Sequence, residues 1–467
     1  MHKRIMLTLA FPLLASLSSA QQFAGFSNKY FGGVVQIPTN PSFVVKEVNG
    51  FEFSLAAVSV MAGTNAYSFK KDWLTDGLNA GPMEGNEFDK NFSKKNKHIW
   101  GNVDLRGPAV SFTLKEDHHL GIYTRARQIV RGGNVDNHSF QLIGSPAQTL
   151  QFPDSFNFEN AGFTVHSFGE IGLTYGRQLT YDLNHIWKGG FTVKYLMGFA
   201  AGTLFTPSME LKKNSSDSTS LLKGELTALY TENIKTHTDN DPNNEFESWF
   251  DGAGGSGLGF DLGLQYEYHP IGDLYKKTPY TFRLAVSITD IGSIAYKADT
   301  GSGIYDVNII NKADWQYQRM PYEEYVDYFG RLKRDTLMTQ KDSSSEFNVP
   351  LPTAFRLNTD WNINSNFWLG INLVLNMRGD NGNIYRPSYV NMLNITPRYE
   401  KDWFMVGMPV SFWGYQTMSI GAMFRVGPLF FGSTSAISTL IGERIRNMDA
   451  YAGLAFRFWD KKKIIIP

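Results

Sequence analysis

Several segments of this chain alternate apolar and polar side chains over about ten residues, and that period constrains the fold more than any other feature. In Phe367 to Met377, the residues Phe367, Leu369, Ile371, Leu373, Leu375 and Met377 share one face, opposite Gly370, Asn372, Val374 and Asn376. From Gly257 to His269, Leu258, Phe260, Leu262 and Leu264 oppose Gly259, Asp261, Gly263 and Gln265. From Tyr280 to Thr289, Phe282, Leu284, Val286 and Ile288 oppose Arg283, Ala285 and Ser287. Side chains two residues apart share a face in a β-strand, not in a helix. The pattern returns at Phe191 to Phe199, Phe404 to Phe412 and Ala452 to Phe458. Tyr, Trp and Phe gather at the ends of these runs, where interfacial girdles place them.

A helical membrane protein is excluded. No apolar stretch after residue 20 approaches the roughly 18–20 residues that a spanning helix needs. Mean hydropathy is only −0.26, although aromatic residues make up 14% of the chain. A soluble β-sandwich predicts strands of about 5–6 residues with evenly spaced turns. Here the runs are longer and the links unequal. Short links fall at Lys115–His118, Asn362–Asn366, Glu400–Trp403 and Gly427-Pro428, and long ones at Ala62–Trp100, Arg131–Ala161, Thr206–Ser256 and Gly292–Leu351. With the mature N-terminus in the periplasm, the short links fall inside and the long ones outside. Strands near 51–61, 101–114, 119–130, 162–179, 188–205, 257–268, 280–291, 353–363, 367–377, 388–399, 404–413, 418–426, 429–433 and 449–459 make about 14, an even number. The expected fold is all-β: a transmembrane antiparallel β-barrel with long external loops, one of which carries a short helix.

Residues 1–20 read as a secretory signal peptide, with Lys3 and Arg4, an apolar run from Ile5 to Leu17, and Ser18-Ser19-Ala20 at the cleavage site. Residues 21–50 then form an N-terminal segment that is a candidate plug, 51–459 the barrel, and 460–467 a periplasmic tail. The chain has no Cys, which fits an exported bacterial protein without disulfide staples. Cleavage leaves 42 basic against 44 acidic residues. That balance argues against a nucleic-acid partner, which leaves a basic footprint. The expected partners are outer-membrane lipid and other envelope proteins.

From Gly257 on, the chain resembles a large group of uncharacterised outer-membrane barrel proteins of the Bacteroidota. The matching segments are Gly259-Phe260-Asp261-Leu262-Gly263, Ile288-Thr289-Asp290-Ile291-Gly292, Leu351-Pro352-Thr353, Arg398-Tyr399-Glu400 with Trp403-Phe404, and Gly427-Pro428-Leu429-Phe430-Phe431-Gly432-Ser433. Their order and spacing extend the resemblance over most of residues 50–460. It implies the barrel and the compartment, and no activity. A looser similarity is to long-chain fatty-acid transporters, also 14-stranded, whose N-terminal plug carries an Asn-Pro-Ala turn; Asn40-Pro41-Ser42 stands at a comparable place. The chain departs from the usual barrel ending, because Phe458-Trp459 is followed by Asp460 to Pro467.

Opposite the apolar faces lie charges that are expected to face the lumen: Arg125, Arg127, Lys194, Arg283, Arg356, Arg425 and Arg457, with Glu52, Glu170, Asp261, Glu267 and Asp360. Two readings stand: the groups pair and fill the interior, or they line a narrow pore favouring anions. Asp239, Asp241, Asn243 and Glu245 place oxygens at alternate positions, as a calcium loop does. Pro242 intrudes there and Phe250 stands where a bidentate Glu belongs, so a solvated acidic loop is the simpler reading. No other cofactor is expected. Glu116-Asp117-His118-His119 sits in a two-strand link, where charged turn residues are ordinary.

Pro321 to Leu337 reads as a helix, with Pro321 in its first turn and Tyr322, Tyr325, Val326, Phe329 and Leu332 on one face. That face is a candidate lid over the barrel mouth or a docking face for a partner, against the plainer reading of a helix packed on its own loops. No Gly-x-Ser-x-Gly or His-Glu-x-x-His motif occurs, and no enzyme is expected. Three functions remain in order: a porin-like channel or transporter for small or amphipathic molecules; a plugged barrel serving a secretion or surface-attachment complex; and, last, a barrel-embedded hydrolase.

Overall fold

Each alternating segment bonds its neighbours in the chain, and the last bonds the first. The computed structural model describes residue 23 and residues 33–46, 50–71, 88–91, 93–115, 117–144, 150–180, 182, 184–234, 254–270, 280–319, 325–364, 366–378, 386–401, 403–414 and 417–459. Fourteen strands form the wall: β1 (Gly50–Thr64), β2 (Lys97–Lys115), β3 (His118–Val135), β4 (Asp154–Gln178), β5 (His185–Ser215), β6 (Gly255–Tyr268), β7 (Phe282–Lys297), β8 (Ala354–Asn364), β9 (Phe367–Asn376), β10 (Met392–Lys401), β11 (Phe404–Gly407 with Val410–Trp413), β12 (Thr417–Ile420 with Ala422–Val426), β13 (Leu429–Ser433) and β14 (Asn447–Trp459). Neighbours pair antiparallel around the ring, which closes where Gly50 faces Trp459 and Gly63 faces Asn447. Closure leaves no edge, so the wall satisfies its own backbone groups, as hydrocarbon demands. β11 breaks at Met408-Pro409, where proline has no N–H for the ladder.

The faces are inverted relative to a water-soluble protein. Leu258, Phe260 and Leu262 of β6 are 56%, 44% and 54% exposed, while Asp261, Gln265 and Glu267 on the same strand are buried. Apolar side chains outside and charges inside suit a molecule whose solvent is lipid. Aromatic pairs mark the rim that carries the short links: Trp187 with Tyr266 at 5.0 Å, Phe367 with Tyr399 at 5.0 Å, and Phe51 with Phe458 at 6.2 Å. Both ends of the barrel chain, Gly50 and Trp459, lie at that same rim. One link at the opposite rim, residues 414–416, is short as well. Leu262→Arg is expected to destabilise the barrel in lipid by about 2–4 kcal/mol, read as a shift of the urea midpoint for folding into vesicles. A cost equal to that of Leu262→Ala would mean that this face does not meet lipid.

β4 and β5 have 25 and 31 residues, far more than the roughly ten that cross a bilayer. Their excess projects beyond the long-link rim and continues as a sheet. β5 bonds Ser218–Tyr230, which bonds Gly303–Ala313, which bonds Met338–Ser343. The sequence reading took 206–256 and 292–351 as links; much of them is strand. Charges such as Lys212, Lys213, Lys223 and Glu225 break the apolar alternation there, since no lipid face has to be kept.

The expected helix spans Tyr325–Arg334, shorter than 321–337, and packs on this sheet. Phe329 stacks on Tyr305 at 5.3 Å with rings 10° apart, and Leu332 joins the same apolar cluster with Val307 and Met338. Those two side chains are therefore covered by the protein's own loops and leave no apolar face for a partner. This corrects the docking reading for Phe329 and Leu332. Tyr322 and the side chains of Tyr325 and Val326 lie outside the described residues.

Candidate functional site

A strand that alternates presents every second residue to the lumen, so one strand samples the interior from rim to rim. Along β3 the inward residues run His119, Gly121, Tyr123, Arg125, Arg127 and Ile129, all with a buried side or a missing side chain. Along β5 they run Lys188, Gly190, Thr192, Lys194 and Leu196. Each strand passes in the same order through a bare glycine position, a charged position and an apolar one. The lumen is layered accordingly.

The glycine level holds an inserted piece of chain, residues 33–46, almost all of it buried. It consists of a turn of helix, Gly33–Gln36, and a 3-10 turn, Pro41–Val44, headed by Asn40. The Asn40 carboxamide oxygen accepts from the Ser42 amide at 2.9 Å and the Ser42 hydroxyl at 2.7 Å, and its NH2 donates to the Val286 carbonyl at 3.0 Å. Ser287 Oγ donates to the Thr39 carbonyl at 2.7 Å. The fit depends on glycines. A Cβ at Gly263 would overlap Asn40 Oδ1, one at Gly190 would lie 2.6 Å from the Pro41 carbonyl carbon, and one at Gly121 would lie 2.7 Å from Ile37 Cδ1. The other end is tied by charge: Glu52 accepts from the Val34 amide at 2.9 Å while pairing with Arg457, with Lys46 at 3.6 Å. Arg106 donates to the Val35 carbonyl and lies 4.2 Å from the centre of the Phe23 ring.

Next comes an ionic layer. Arg125 bridges Asp104 at 2.7 Å and Glu170 at 2.9 Å; Arg127 bridges Glu170 at 2.9 Å and Asp290 at 2.8 Å. Lys194 reaches Asp290 at 2.6 Å and Asp261 at 2.7 Å. Tyr389 donates to Asp290 at 3.0 Å and receives from Arg127 at 2.6 Å. Burying such charges is costly unless each is paired and hydrogen-bonded, and the layer meets most of that requirement internally. Asp290 is the hub. Its φ is +63°, at a bulge that shifts the β6–β7 register between Ile288 and Ile291. Strict alternation would aim residue 290 at lipid. The bulge turns it inward beside Thr289, and both are buried.

Pairs nearer the short-link rim complete the interior. Lys188 meets Glu267 at 2.6 Å, and Arg398 meets Asp360 at 2.7 Å, with Tyr280 donating to Asp360 at 2.8 Å. Arg425 donates to the Lys401 carbonyl at 3.0 Å. On the long-link side of the ionic layer, Phe168, Leu196, Ile294, Tyr296, Phe347 and Leu351 form an apolar cluster.

Of the twelve charges expected in the lumen, eleven are buried, and the twelfth, Arg457, has a side chain 14% exposed and pairs with Glu52. The structure brings Arg125, Arg127, Glu170, Lys194 and Asp261 into one layer with Arg356 at its margin. It sets Glu52 with Arg457 apart at the inserted segment, and Glu267, Asp360, Arg283 and Arg425 nearer the rim. The sequence reading missed Asp104, Arg106, Lys188, Asp290, Arg398 and Glu400. All but Asp290 stand at inward positions of alternating strands, so the period was there to find them. Asp239, Asp241, Asn243 and Glu245, the calcium candidates, lie outside the described residues, as do the signal peptide 1–20 and the tail 460–467. Among the described residues no group of three or more His, Asp or Glu is placed to hold a metal ion.

A closed, lipid-faced ring of 14 strands with an ionic interior is a transmembrane β-barrel. The chain belongs to the family of unknown function DUF5723, whose model matches residues 41–434. No curated protein matches it. Among solved structures it is similar to the Pseudomonas putida toluene transporter TodX, at 8–9% identity; one such structure covers 95% of this chain and 100% of the other with a TM-score of 0.40. A Pseudomonas aeruginosa FadL homologue matches at 8% identity, 94% and 98% coverage and a TM-score of 0.30. The Escherichia coli outer membrane protease OmpT matches at 7% identity, 89% and 98% coverage and a TM-score of 0.24. The barrel assignment rests on the chain's own strand ladder rather than on these likenesses.

Proposed function

We propose that this is an outer-membrane barrel that passes small apolar or amphipathic molecules and is closed at rest by residues 33–46. One observation carries the reading: the wall is complete without the inserted segment, which is seated on glycines and held through a few polar contacts. A 14-stranded ring is wider than the small barrels that side chains alone fill. Closing such a ring with a separable piece of chain makes a gate. The apolar cluster on the long-link side of the ionic layer suits an apolar or amphipathic passenger better than a hydrated ion. Short links and both barrel ends then face the periplasm, and the projecting sheet faces outward. Residues 1–20 serve as the export signal.

A second reading draws on the ionic layer and the large outer sheet: a permanently sealed barrel that presents that sheet to a secretion or surface-attachment complex. Planar-bilayer conductance separates the two. The gated reading expects the whole protein to be silent or nearly so, and the protein lacking 33–46 to show a stable open level while keeping heat-modifiable mobility. A deletion variant that folds and stays closed would overturn the gate and leave the sealed scaffold.

A further inference from the structure

We infer that the lumen holds a binding site for a small oxyanion at Arg356 of β8. The ionic layer has one cation too many. Four carboxylates, Asp104, Glu170, Asp261 and Asp290, stand against Arg106, Arg125, Arg127, Lys194 and Arg356. Among the described residues Arg356 is the one of these cations with no carboxylate at ion-pair distance. It is 5% exposed, donates from Nε only to Thr289 Oγ1 at 3.1 Å, and lies 5.0 Å from the centre of the Tyr389 ring. Among the described residues its Nη2 has no hydrogen-bond partner.

A buried guanidinium with an N–H left over, in a layer that holds more cations than carboxylates, is unfavourable unless something acceptor-rich sits beside it. A hydroxyl or a carbonyl supplies oxygen but not charge. An oxyanion supplies both, and the guanidinium fork suits its geometry. The site holds whether the barrel is gated or permanently sealed, because it rests on the charge count and not on a path.

The test is the melting temperature of the full-length protein in detergent, in sodium phosphate against sodium chloride at equal ionic strength. Phosphate is expected to raise it, with a gain that grows as the logarithm of concentration above saturation. Lys341→Met, on the outer sheet, should keep that gain, and Arg356→Met should lose it. Equal melting temperatures in the two salts, or an undiminished gain in Arg356→Met, would overturn the site. Should Arg356→Met fail to reach the heat-modifiable folded form, Arg356→Lys decides. It keeps the charge and loses the fork, so half-saturation should need about tenfold more phosphate, and an unchanged half-saturation is the opposing result.

Discussion

Asp290→Ala is expected to destabilise the folded barrel by about 3–5 kcal/mol. The substitution takes one carboxylate from two buried cations, leaving Arg127 with Glu170 and Lys194 with Asp261, and orphans the Tyr389 hydroxyl that donates to it. Removing one partner of a buried pair costs far more than removing both, because the remaining charge stays desolvated. The readout is the urea midpoint of folding in detergent, followed by heat-modifiable mobility. Asp290→Asn, which keeps the shape and loses the charge, should fall between alanine and the native protein. A loss below about 1 kcal/mol, the scale of a solvent-exposed ion pair, would mean that water screens the layer and that the lumen is wet at this depth.

Gly263→Leu should open the barrel without deleting a residue. A Cβ there overlaps Asn40 Oδ1 and would lie 2.9 Å from Pro41 Cδ, so a branched side chain and the 3-10 turn cannot share the space. The wall has no such conflict, because the added side chain points into the lumen. The expected result in planar bilayers is the open level of the protein lacking 33–46, with native mobility in gels. Leu262→Ala, one residue away on the lipid face, is the control and should stay closed. If Gly263→Leu folds and remains silent, the inserted segment is not what closes the lumen.

The outer and inner faces of the wall were legible in the sequence. Leu262 outward and Asp261 inward follow from a period of two and from the chemistry of lipid and lumen. The strand number and the shared rim of the chain ends follow from the links, since antiparallel neighbours joined by a short turn need no other information. The helix at 325–334 was legible as a helix, but not its seat. Phe329 stacks on Tyr305 because a sheet of five strands forms outside the membrane, and no lipid-facing period announces that sheet.

Asp290 marks the limit. In Ile288-Thr289-Asp290-Ile291-Gly292 the alternation assigns it to lipid, and only the bulge, with left-handed backbone at Asp290, turns it to Arg127 and Lys194. The seat of residues 33–46 was out of reach for the same kind of reason. Asn40 meets Gly263 and Val286 across more than two hundred residues of chain, and a missing Cβ says nothing of what will occupy its space. Local period determines which way a side chain points, because the pleat is a property of each strand alone. Which charges meet, and what fills the glycine hollow, depends on how the ring closes, and that brings together residues from every part of the chain.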